Sequence, residues 1–404
     1  MATITGISEA RFDDPGFYLG DPNATFRELR ETDPLHWYEE GKFWVVTKYD
    51  DIKTISARPE KFTSERIAIM MDLIAHRQGV DPQGFGSRGI MFMDPPEHRA
   101  HRKAIGVRFT PAAVAKMEDR VKQVVAQAFD NLPDGEFDWI EHIAEPIPVY
   151  IFSYFLGVPE SDWSKVASWA TTIAKAGSGL ASDEDFQVIF DQIAPYLLGL
   201  AAERAESPRD DLLTMLTQVR IDDEPFNEVQ IMVYAMTLLA AGSETTQSLL
   251  AGLIECLDVH PAAADALFAD SSLSDNTVEE TLRWWTPVMS MARQAAHDVE
   301  LRGKKVLEGQ GLLMAYASAN RDVDHWGPTA EDFDITRSDA AGHVGFGVGE
   351  HFCMGAALAR REARFVLAEV LRRAKAVHVT GQRIKRESSL VNTFDRLDVT
   401  LDYR

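Results

Sequence analysis

Residues 346–355 read Phe-Gly-Val-Gly-Glu-His-Phe-Cys-Met-Gly and hold Cys353, one of only two cysteines in the protein. Glycines allow the backbone to turn sharply and to lie close against a flat, bulky ligand. A turn of this kind directs backbone N–H groups at the sulfur and favours the thiolate, which is a good soft ligand for a metal. A lone cysteine is more often a buried structural residue, but the glycine spacing here favours a ligand.

The order Phe-Gly-x-Gly-x-His-x-Cys-x-Gly, with Leu-Ala-Arg shortly after it, resembles the haem-binding loop of the cytochrome P-450 superfamily. The match runs without a gap from Phe346 to Arg360. The resemblance implies that the cofactor is haem b and that Cys353 is the axial thiolate ligand of its iron. It also implies that Phe346 shields the sulfur, that His351 approaches a haem propionate, and that Gly355 belongs to the cofactor-binding loop.

A second informative stretch, residues 93–103, reads Met-Asp-Pro-Pro-Glu-His-Arg-Ala-His-Arg-Lys. Asp94 is a candidate helix N-cap, and His98 and Arg102, four residues apart, share one helix face. A solvated basic helix face is the plainer interpretation. The stretch is similar to the helix of the same family that holds the haem propionates. The resemblance therefore gives that role to His98 and Arg102, and it gives the second propionate to Arg293.

The longest helical pattern runs over residues 227–259 and is interrupted in its middle by polar residues and a glycine. A helix of this length measures about 45 Å and, being mostly apolar, is expected to be buried. Gly242 and Glu244 destabilise a buried helix, and Thr245 is expected to turn its hydroxyl back to the Ala241 carbonyl. The stretch resembles the oxygen-activation motif of the family. The resemblance implies that Thr245 hydrogen-bonds the dioxygen under activation, Glu244 relays protons and Gly242 leaves room for oxygen.

Residues 278–287 predict a short helix that ends at a proline. Glu280 and Arg283 form an i,i+3 pair, which on a surface is worth only about a few tenths of a kcal/mol. The pair matches the Glu-x-x-Arg pair of the family. The resemblance adds Arg337 as the third member of a cluster that anchors the fold behind the cysteine loop.

The composition is that of an ordinary soluble globular protein, with 45% apolar and 26% charged residues. The net charge of −22 predicts repulsion of nucleic acid and of anionic membranes. Two cysteines, far apart, do not make a disulfide framework and fit a reducing compartment. The first residues carry no secretory signal, and no apolar run approaches 18 residues. We therefore expect a cytoplasmic protein without a membrane anchor.

The periodicity predicts a mainly α fold with a smaller β-rich region, and the resemblance implies the family's triangular prism with a long central helix over the haem. We expect residues 1–404 to form one catalytic domain. Residues 67–88 are predicted to be a mobile loop with a short helix, and the break at 176–179 is expected to join helices that open and close over a pocket. The predicted strands are 35–38 and 43–47, with a small sheet within 299–316 and a hairpin at 388–401. The predicted helices are 23–32, 49–57, 67–76, 111–131, 139–156, 159–175, 182–206 and 210–218.

The implied reaction is insertion of one atom of dioxygen into an apolar substrate. The chain shows no fused flavin or ferredoxin module, so electrons are expected from NAD(P)H through a separate reductase and an acidic iron–sulfur ferredoxin. A basic face on an acidic protein would steer such a partner. The residues predicted to form it are Arg99, Lys103, Arg360, Arg361 and Arg364.

The sequence does not select one substrate, although it predicts an apolar, methionine-rich pocket. A terpenoid, a steroid, a fatty acid or an aromatic compound would each suit such a pocket. The candidate pocket residues are Met70, Met71, Leu73, Ile90, Thr237, Ala240, Val288, Met291 and Phe394.

Two other functions remain open from the sequence. One is a haem-thiolate protein that binds a ligand or carrier without oxygenating it, as a sensor would. The other is a member of the family that uses peroxide directly, or that catalyses isomerisation or coupling. The intact Glu244-Thr245 pair argues against both, because such variants usually lack it.

Overall fold

The computed structural model describes residues 6–80, 89–177 and 181–404. Residues 81–88 of the predicted loop and residues 178–179 of the predicted break lie outside the described part of the chain. Helices make up most of what is described, and the strands are few and short, so the predicted mainly α fold with a smaller β region is confirmed.

The α-helices follow the predicted segments closely, although several long patterns are divided. Residues 111–131 form two helices separated at Lys116 and Met117, and the patterns at 139–156 and 182–206 each contain a π-helical turn, Ile140–Ala144 and Ile189–Ile193. The helices are α1 (Pro22–Thr32), α2 (Tyr49–Ser56), α3 (Met70–Arg77), α4 (Glu97–Gly106), α5 (Pro111–Ala115), α6 (Glu118–Asp130), α7 (Pro146–Leu156), α8 (Trp163–Gly177), α9 (Asp183–Val188), α10 (Ala194–Glu206), α11 (Leu212–Gln218), α12 (Glu228–Val259), α13 (Pro261–Ala269), α14 (Ser274–Trp284), α15 (Tyr316–Ala319), α16 (Val323–Trp326) and α17 (Ala356–Arg373).

The strands form one five-stranded sheet and three smaller ones. The largest sheet has the order β1-β2-β10-β7-β3, and β11-β12-β4 form a three-stranded sheet, while β5-β6 and β8-β9 are hairpins. The strands are β1 (Leu35–Tyr38), β2 (Phe43–Val46), β3 (Phe62–Thr63), β4 (Phe137–Asp138), β5 (Arg220–Ile221), β6 (Glu224–Pro225), β7 (Ser290–Ala295), β8 (Val299–Leu301), β9 (Lys304–Val306), β10 (Gly311–Ala315), β11 (Ala374–Lys385) and β12 (Phe394–Tyr403).

The end of the chain corrects one prediction. The sequence predicts a hairpin over residues 388–401, whereas the hairpin is formed by β11 and β12, and residues 386–393 only connect them. Strand β11 was missed because its outer half is exposed on both faces and so lacks a clear apolar alternation.

Helix α12 is the centre of the main core. It has 32 residues, so it is about 48 Å long. It begins at a capping box, in which Asn227 accepts from the N–H of Gln230 and Gln230 accepts from the N–H of Asn227. It packs against α7, α8, α14 and α17, so it runs through the molecule beside the helix that follows the cysteine loop.

Candidate active site

The loop around Cys353 is a tight turn that closes on itself. The N–H of Cys353 donates to the carbonyl of Phe346 at 2.8 Å. Gly347 and Gly349 have φ angles of +68° and +74°, which L side chains rarely adopt. A Cβ on Gly349 would also lie 2.4 Å from the carbonyl oxygen of Ser56 on α2. Both glycines are therefore required by the backbone, and the loop is held against α2.

The groups directed at the Cys353 sulfur favour its thiolate form. Burial has the largest effect and leaves the pKa of Cys353 above its ordinary value, while N–H groups of Gly355 and Ala356 at the start of α17 partly offset it. The positive charges of Arg102 and Arg360 act in the same direction as these N–H groups. The thiolate is the form of cysteine that binds metals, so the donor set fits a soft metal ligand.

Basic side chains from separate parts of the chain meet beside this loop. The rings of His98 on α4 and His351 in the loop lie 4.1 Å apart, centroid to centroid. Arg102 is one turn further along α4 and donates to the carbonyl of Phe352. Arg293 is buried on β7, and its charge acts on both histidines.

These buried groups disfavour one another's positive charge. Burial first, and then the neighbouring cations, lower the pKa of His351 to about 2. Burial also lowers the pKa of His98, of Arg102 and of Arg293. His98 Nδ1 is buried without a hydrogen-bond partner among the described residues. A ligand with carboxylates would satisfy this cluster, so the residues present fit the propionates of a haem.

Asp94 does not cap helix α4, contrary to the sequence prediction. The helix begins at Glu97, and no side chain caps it. The Asp94 carboxylate instead accepts hydrogen bonds from the N–H of Ser64 and the hydroxyl of Thr63. It thereby ties the segment before α4 to strand β3.

One side of helix α12 keeps accessible side-chain surface along a stripe with a spacing of four residues. Val233, Thr237, Ala241 and Thr245 are partly or fully accessible, whereas Thr246 is buried. The Thr245 hydroxyl donates to the Ala241 carbonyl at 2.6 Å, as the sequence predicts. Thr245 therefore lies on the accessible side of α12, near the middle of the helix.

Gly242 has a packing reason that the sequence did not reveal. A Cβ at this position would lie 2.5 Å from the ring of Phe152 on α7. The close contact between α12 and α7 thus accounts for the glycine. The predicted role of Gly242 in leaving room for oxygen stays a prediction.

Glu244 has a partner that sequence analysis missed. Arg386, just after β11, donates to Glu244 Oε1 at 3.1 Å and to Asp395 Oδ1 at 2.6 Å. Burial lowers the pKa of Arg386, but the two carboxylates overcome this effect and raise it. No local pattern marks Arg386, because only the fold brings residues 142 positions apart together.

The Glu280–Arg283 pair is fully buried, with both side chains 0% exposed. The two hydrogen bonds between guanidinium and carboxylate are each 2.7 Å long. Arg283 also donates to the carbonyls of Asn320 and Ala330. Arg337 Nε lies 3.6 Å from Glu280 Oε1, so the structure brings the three predicted residues together.

The predicted pocket residues fall into two groups. One group keeps part of its surface accessible, and within it Thr237 faces the segment at Gly89, where a Cβ would lie 3.7 Å from Thr237 Oγ1. The members of this group are Met71, Ile90, Thr237, Ala240, Val288 and Met291.

The other three predicted pocket residues are buried in hydrophobic cores, which disfavours a pocket role. Met70 and Leu73 pack in the core beside the five-stranded sheet. Phe394 belongs to the main core and stacks on Trp285 with ring centroids 5.5 Å apart. Their apolar character serves packing, which sequence alone did not distinguish from ligand binding.

The predicted docking face is mostly neutralised by ion pairs. Lys103 is exposed, and within the described ranges no carboxylate pairs with it. The four arginines each pair with a carboxylate: Arg99 with Glu350, Arg360 with Glu279, Arg361 with Glu118 and Arg364 with Asp275.

Comparisons with known proteins agree with this site. A family model described as Cytochrome P450 matches residues 182–393. A Mycobacterium tuberculosis protein named methyl-branched lipid omega-hydroxylase is 32% identical over 369 residues, covering 88% of this chain and 83% of the relative. The vitamin D(3) 25-hydroxylase of Pseudonocardia autotrophica is 31% identical over 412 residues and covers 100% of both chains. A crystal structure of a Bacillus megaterium cytochrome P450 in complex with testosterone, 27% identical, superposes with a TM-score of 0.83 over 94% of this chain and 99% of that chain.

The fold and the cysteine loop define a haem-thiolate oxidoreductase. The chain belongs to the cytochrome P450 family and is a monooxygenase. The family, the fold and the enzyme class predicted from the sequence are thereby confirmed. No helix in the described part of the chain is both long enough and apolar enough to cross a membrane.

Proposed function

We propose that residues 1–404 form a single catalytic domain that binds haem b and inserts one atom of dioxygen into an apolar substrate. The observation that carries this proposal is the ring contact of His98 with His351 at 4.1 Å beside the Cys353 loop. Two motifs far apart in sequence meet there to form a site for carboxylates next to a thiolate. When bound, the haem supplies the dioxygen chemistry, and a thiolate ligand favours O–O cleavage.

The chain's own residues would hold this cofactor from two sides. Cys353 supplies the sulfur ligand, and the N–H groups of Gly355 and Ala356 partly offset the effect of burial, which disfavours the thiolate. His98 and Arg102 on α4 bind one propionate, and Arg293 binds the other. His351, beside His98, completes the polar edge of the site. Gly355 lies between the ligand and the first residue of α17, and its N–H points at the sulfur.

On the side of the site opposite the cysteine loop, residues of α12 supply protons. Glu244 takes protons from solvent and passes them toward Thr245. The Thr245 hydroxyl donates to the Ala241 carbonyl. It can rotate to donate a hydrogen bond to oxygen instead, and its lone pairs can still accept a hydrogen bond. Arg386 holds Glu244 Oε1 by an ion pair and so orients the carboxylate beside Thr245.

The substrate is proposed to be a steroid, a terpenoid, a lipid or an aromatic compound that fits an apolar pocket. The accessible residues near α12, including Ile90, Thr237 and Ala240, support such a ligand. The names of the relatives, which refer to methyl-branched lipid and vitamin D(3), and the bound testosterone of the structural neighbour favour lipids and steroids first.

Electrons are proposed to reach the haem from NAD(P)H through a separate reductase and an acidic ferredoxin in the cytoplasm. Of the five basic residues predicted to dock this partner, Lys103 retains a charge that no described carboxylate balances. Phe352 lies on the cysteine loop, directly before the ligand Cys353, and its exposed ring offers an apolar contact to the partner. We therefore place the docking centre at Lys103 and Phe352 rather than at the paired arginines.

The test is a spectral screen of the purified holoenzyme, followed by turnover with ¹⁸O₂. Testosterone, vitamin D3, a methyl-branched fatty acid, a monoterpene and an alkylated arene are the probes. A substrate-type shift and one ¹⁸O atom per product molecule are expected for at least one probe. Binding without ¹⁸O incorporation by any probe, in the presence of a competent reductase and ferredoxin, would favour a ligand-binding protein instead.

A further inference from the structure

Charged side chains from two helices meet at the ring of Phe346, behind the cysteine loop. Arg360 on α17 donates to both carboxylate oxygens of Glu279 on α14, at 2.7 and 2.9 Å. The guanidinium carbon of Arg360 lies 4.6 Å from the centroid of the Phe346 ring. His343, three residues before Phe346, places its Nε2 at 3.4 Å from Glu279 Oε2.

The hydrogen bonds define the charge of each member of this group. His343 Nδ1 accepts from the N–H of Gly345 at 3.0 Å, so the neutral ring carries its proton on Nε2, facing Glu279. Burial lowers the pKa of His343 and keeps the ring neutral. Burial also raises the pKa of Glu279, but His343 and Arg360 overcome this and hold it at about 2. The group therefore contains one anion and one cation.

This pair is connected to the proposed ligand in two ways. The charge of Arg360 acts on the Cys353 sulfur in the direction that favours the thiolate, although burial outweighs it and leaves the pKa of the thiol raised. The Phe346 ring lies against Arg360, and its carbonyl accepts the N–H of Cys353 at 2.8 Å. Arg360 thus acts on the sulfur through space and also supports the residue that closes the loop. The plain surface role predicted for Arg360, docking a partner, does not account for this inward contact.

A second ion pair on the same two helices provides a natural comparison. Arg364, one turn further along α17, pairs with Asp275 on α14 at 2.9 Å. Both side chains of that pair are exposed, at 41% and 71%, whereas those of Arg360 and Glu279 are 23% and 10% exposed. Solvent screens the outer pair much more than the inner one.

We propose that Glu279 and Arg360 are positioning residues that set how strongly the Cys353 thiolate donates electrons, and thereby set the reduction potential of the haem. The proposal rests on the proposed function, in which Cys353 is the ligand. Charge near a ligand atom and the residues that orient it tune the potential of a metal centre. Because the two charges are opposite, removing either one shifts the net charge behind the loop toward the sign of the other.

The two neutral substitutions must therefore act in opposite directions. Glu279→Gln leaves Arg360 unbalanced, which withdraws electron density from the thiolate and raises the reduction potential. Arg360→Gln leaves Glu279 unbalanced, which increases donation and lowers the potential. A loosened loop alone would shift both variants in the same direction.

The experiment is an anaerobic spectroelectrochemical titration of the holoenzyme and its variants. At a fixed potential we expect the ferrous-to-ferric ratio to change by about threefold or more, upward in Glu279→Gln and downward in Arg360→Gln, where tenfold corresponds to 59 mV for one electron. Arg360→Lys, which keeps the charge, and Arg364→Gln, on the outer pair, should stay close to the unsubstituted protein.

Shifts in the same direction, or shifts no larger than that of Arg364→Gln, would overturn the proposal. If one neutral variant loses its cofactor, the reduction potential of the other is compared with that of Arg360→Lys. A shift in Arg360→Lys as large as that of the remaining neutral variant would contradict a charge effect. The ferrous carbon monoxide spectrum of the unsubstituted protein separates this failure from failure of the proposed function. A thiolate-type band with unchanged potentials refutes only the role of Glu279 and Arg360.

Discussion

Arg386 donates a hydrogen bond to Glu244 at 3.1 Å and so links the end of β11 to the middle of α12. The same arginine binds Asp395 at the start of β12. The hairpin therefore controls the orientation of the acid that lies next to Thr245. Any motion of residues 386–393 would change how freely Glu244 moves.

The first prediction follows from this ion pair. Glu244→Gln should lower the rate of product formation by about tenfold or more, because a relay acid is removed. Arg386→Gln should change the rate less, since the acid remains and only its orientation is lost, and both variants should alter the solvent isotope effect. Steady-state kinetics in H₂O and D₂O measure both effects.

Arg383→Gln is the matched control for Arg386. Arg383 also joins β11 to α12, where it pairs with Glu255 and Asp258 near the end of the helix. The Arg383→Gln substitution should leave the solvent isotope effect unchanged. Equal effects of Arg383→Gln and Arg386→Gln would show that the hairpin acts only through stability.

The second prediction concerns Thr245. Thr245→Ala should keep the haem spectrum and substrate affinity, but product per NAD(P)H should fall about tenfold or more, because the hydroxyl no longer holds oxygen for protonation. Oxygen should then leave as hydrogen peroxide in a matching amount. Thr246→Ala, on the buried side of α12, should remain coupled. A fully coupled Thr245→Ala enzyme would refute the role of this hydroxyl.

The parts of the site that sequence predicted are those encoded by local spacing. The turn around Cys353, the Glu280–Arg283 pair and the extent of α12 each depend on residues within one element, so their patterns are readable in the chain. The contact of His98 with His351 was predictable only through the family resemblance.

Features that depend on packing between distant segments were missed. Arg386 and the pairing of Arg360 with Glu279 carry no local signal, because each partner is supplied by another element. The packing role of Gly242, whose missing Cβ admits the ring of Phe152, also depends on another element. Met70, assigned to the pocket, packs in a core, since an apolar side chain suits either place equally.

The third prediction tests the fold-anchoring cluster. Glu280→Gln should lower the free energy of unfolding by about 3–5 kcal/mol, because it leaves Arg283 as an uncompensated buried charge. Chemical denaturation monitored by circular dichroism measures this change. Glu39→Gln, in an exposed pair with Lys42, should change stability by less than about 1 kcal/mol. Similar losses in both variants would contradict a special role for the buried pair.

The fourth prediction concerns the redox partner. Lys103→Glu should raise the apparent KM for the ferredoxin severalfold at low ionic strength and weaken its salt dependence, because it reverses an exposed charge at the docking centre. Substrate binding should be unchanged. Lys42→Glu, in the turn between β1 and β2, is the control. If both lysine variants behave alike, the ferredoxin docks elsewhere.

The central claim is that Cys353 supplies a thiolate to haem iron. The carbon monoxide difference spectrum of the reduced protein measures it most directly, since a thiolate ligand gives a strongly red-shifted Soret band. The account predicts this band in the unsubstituted protein and in Cys256→Ser, whose cysteine is buried in the core. It predicts loss of the band, or of the haem, in Cys353→Ser. An unchanged red-shifted band in Cys353→Ser would contradict the assignment.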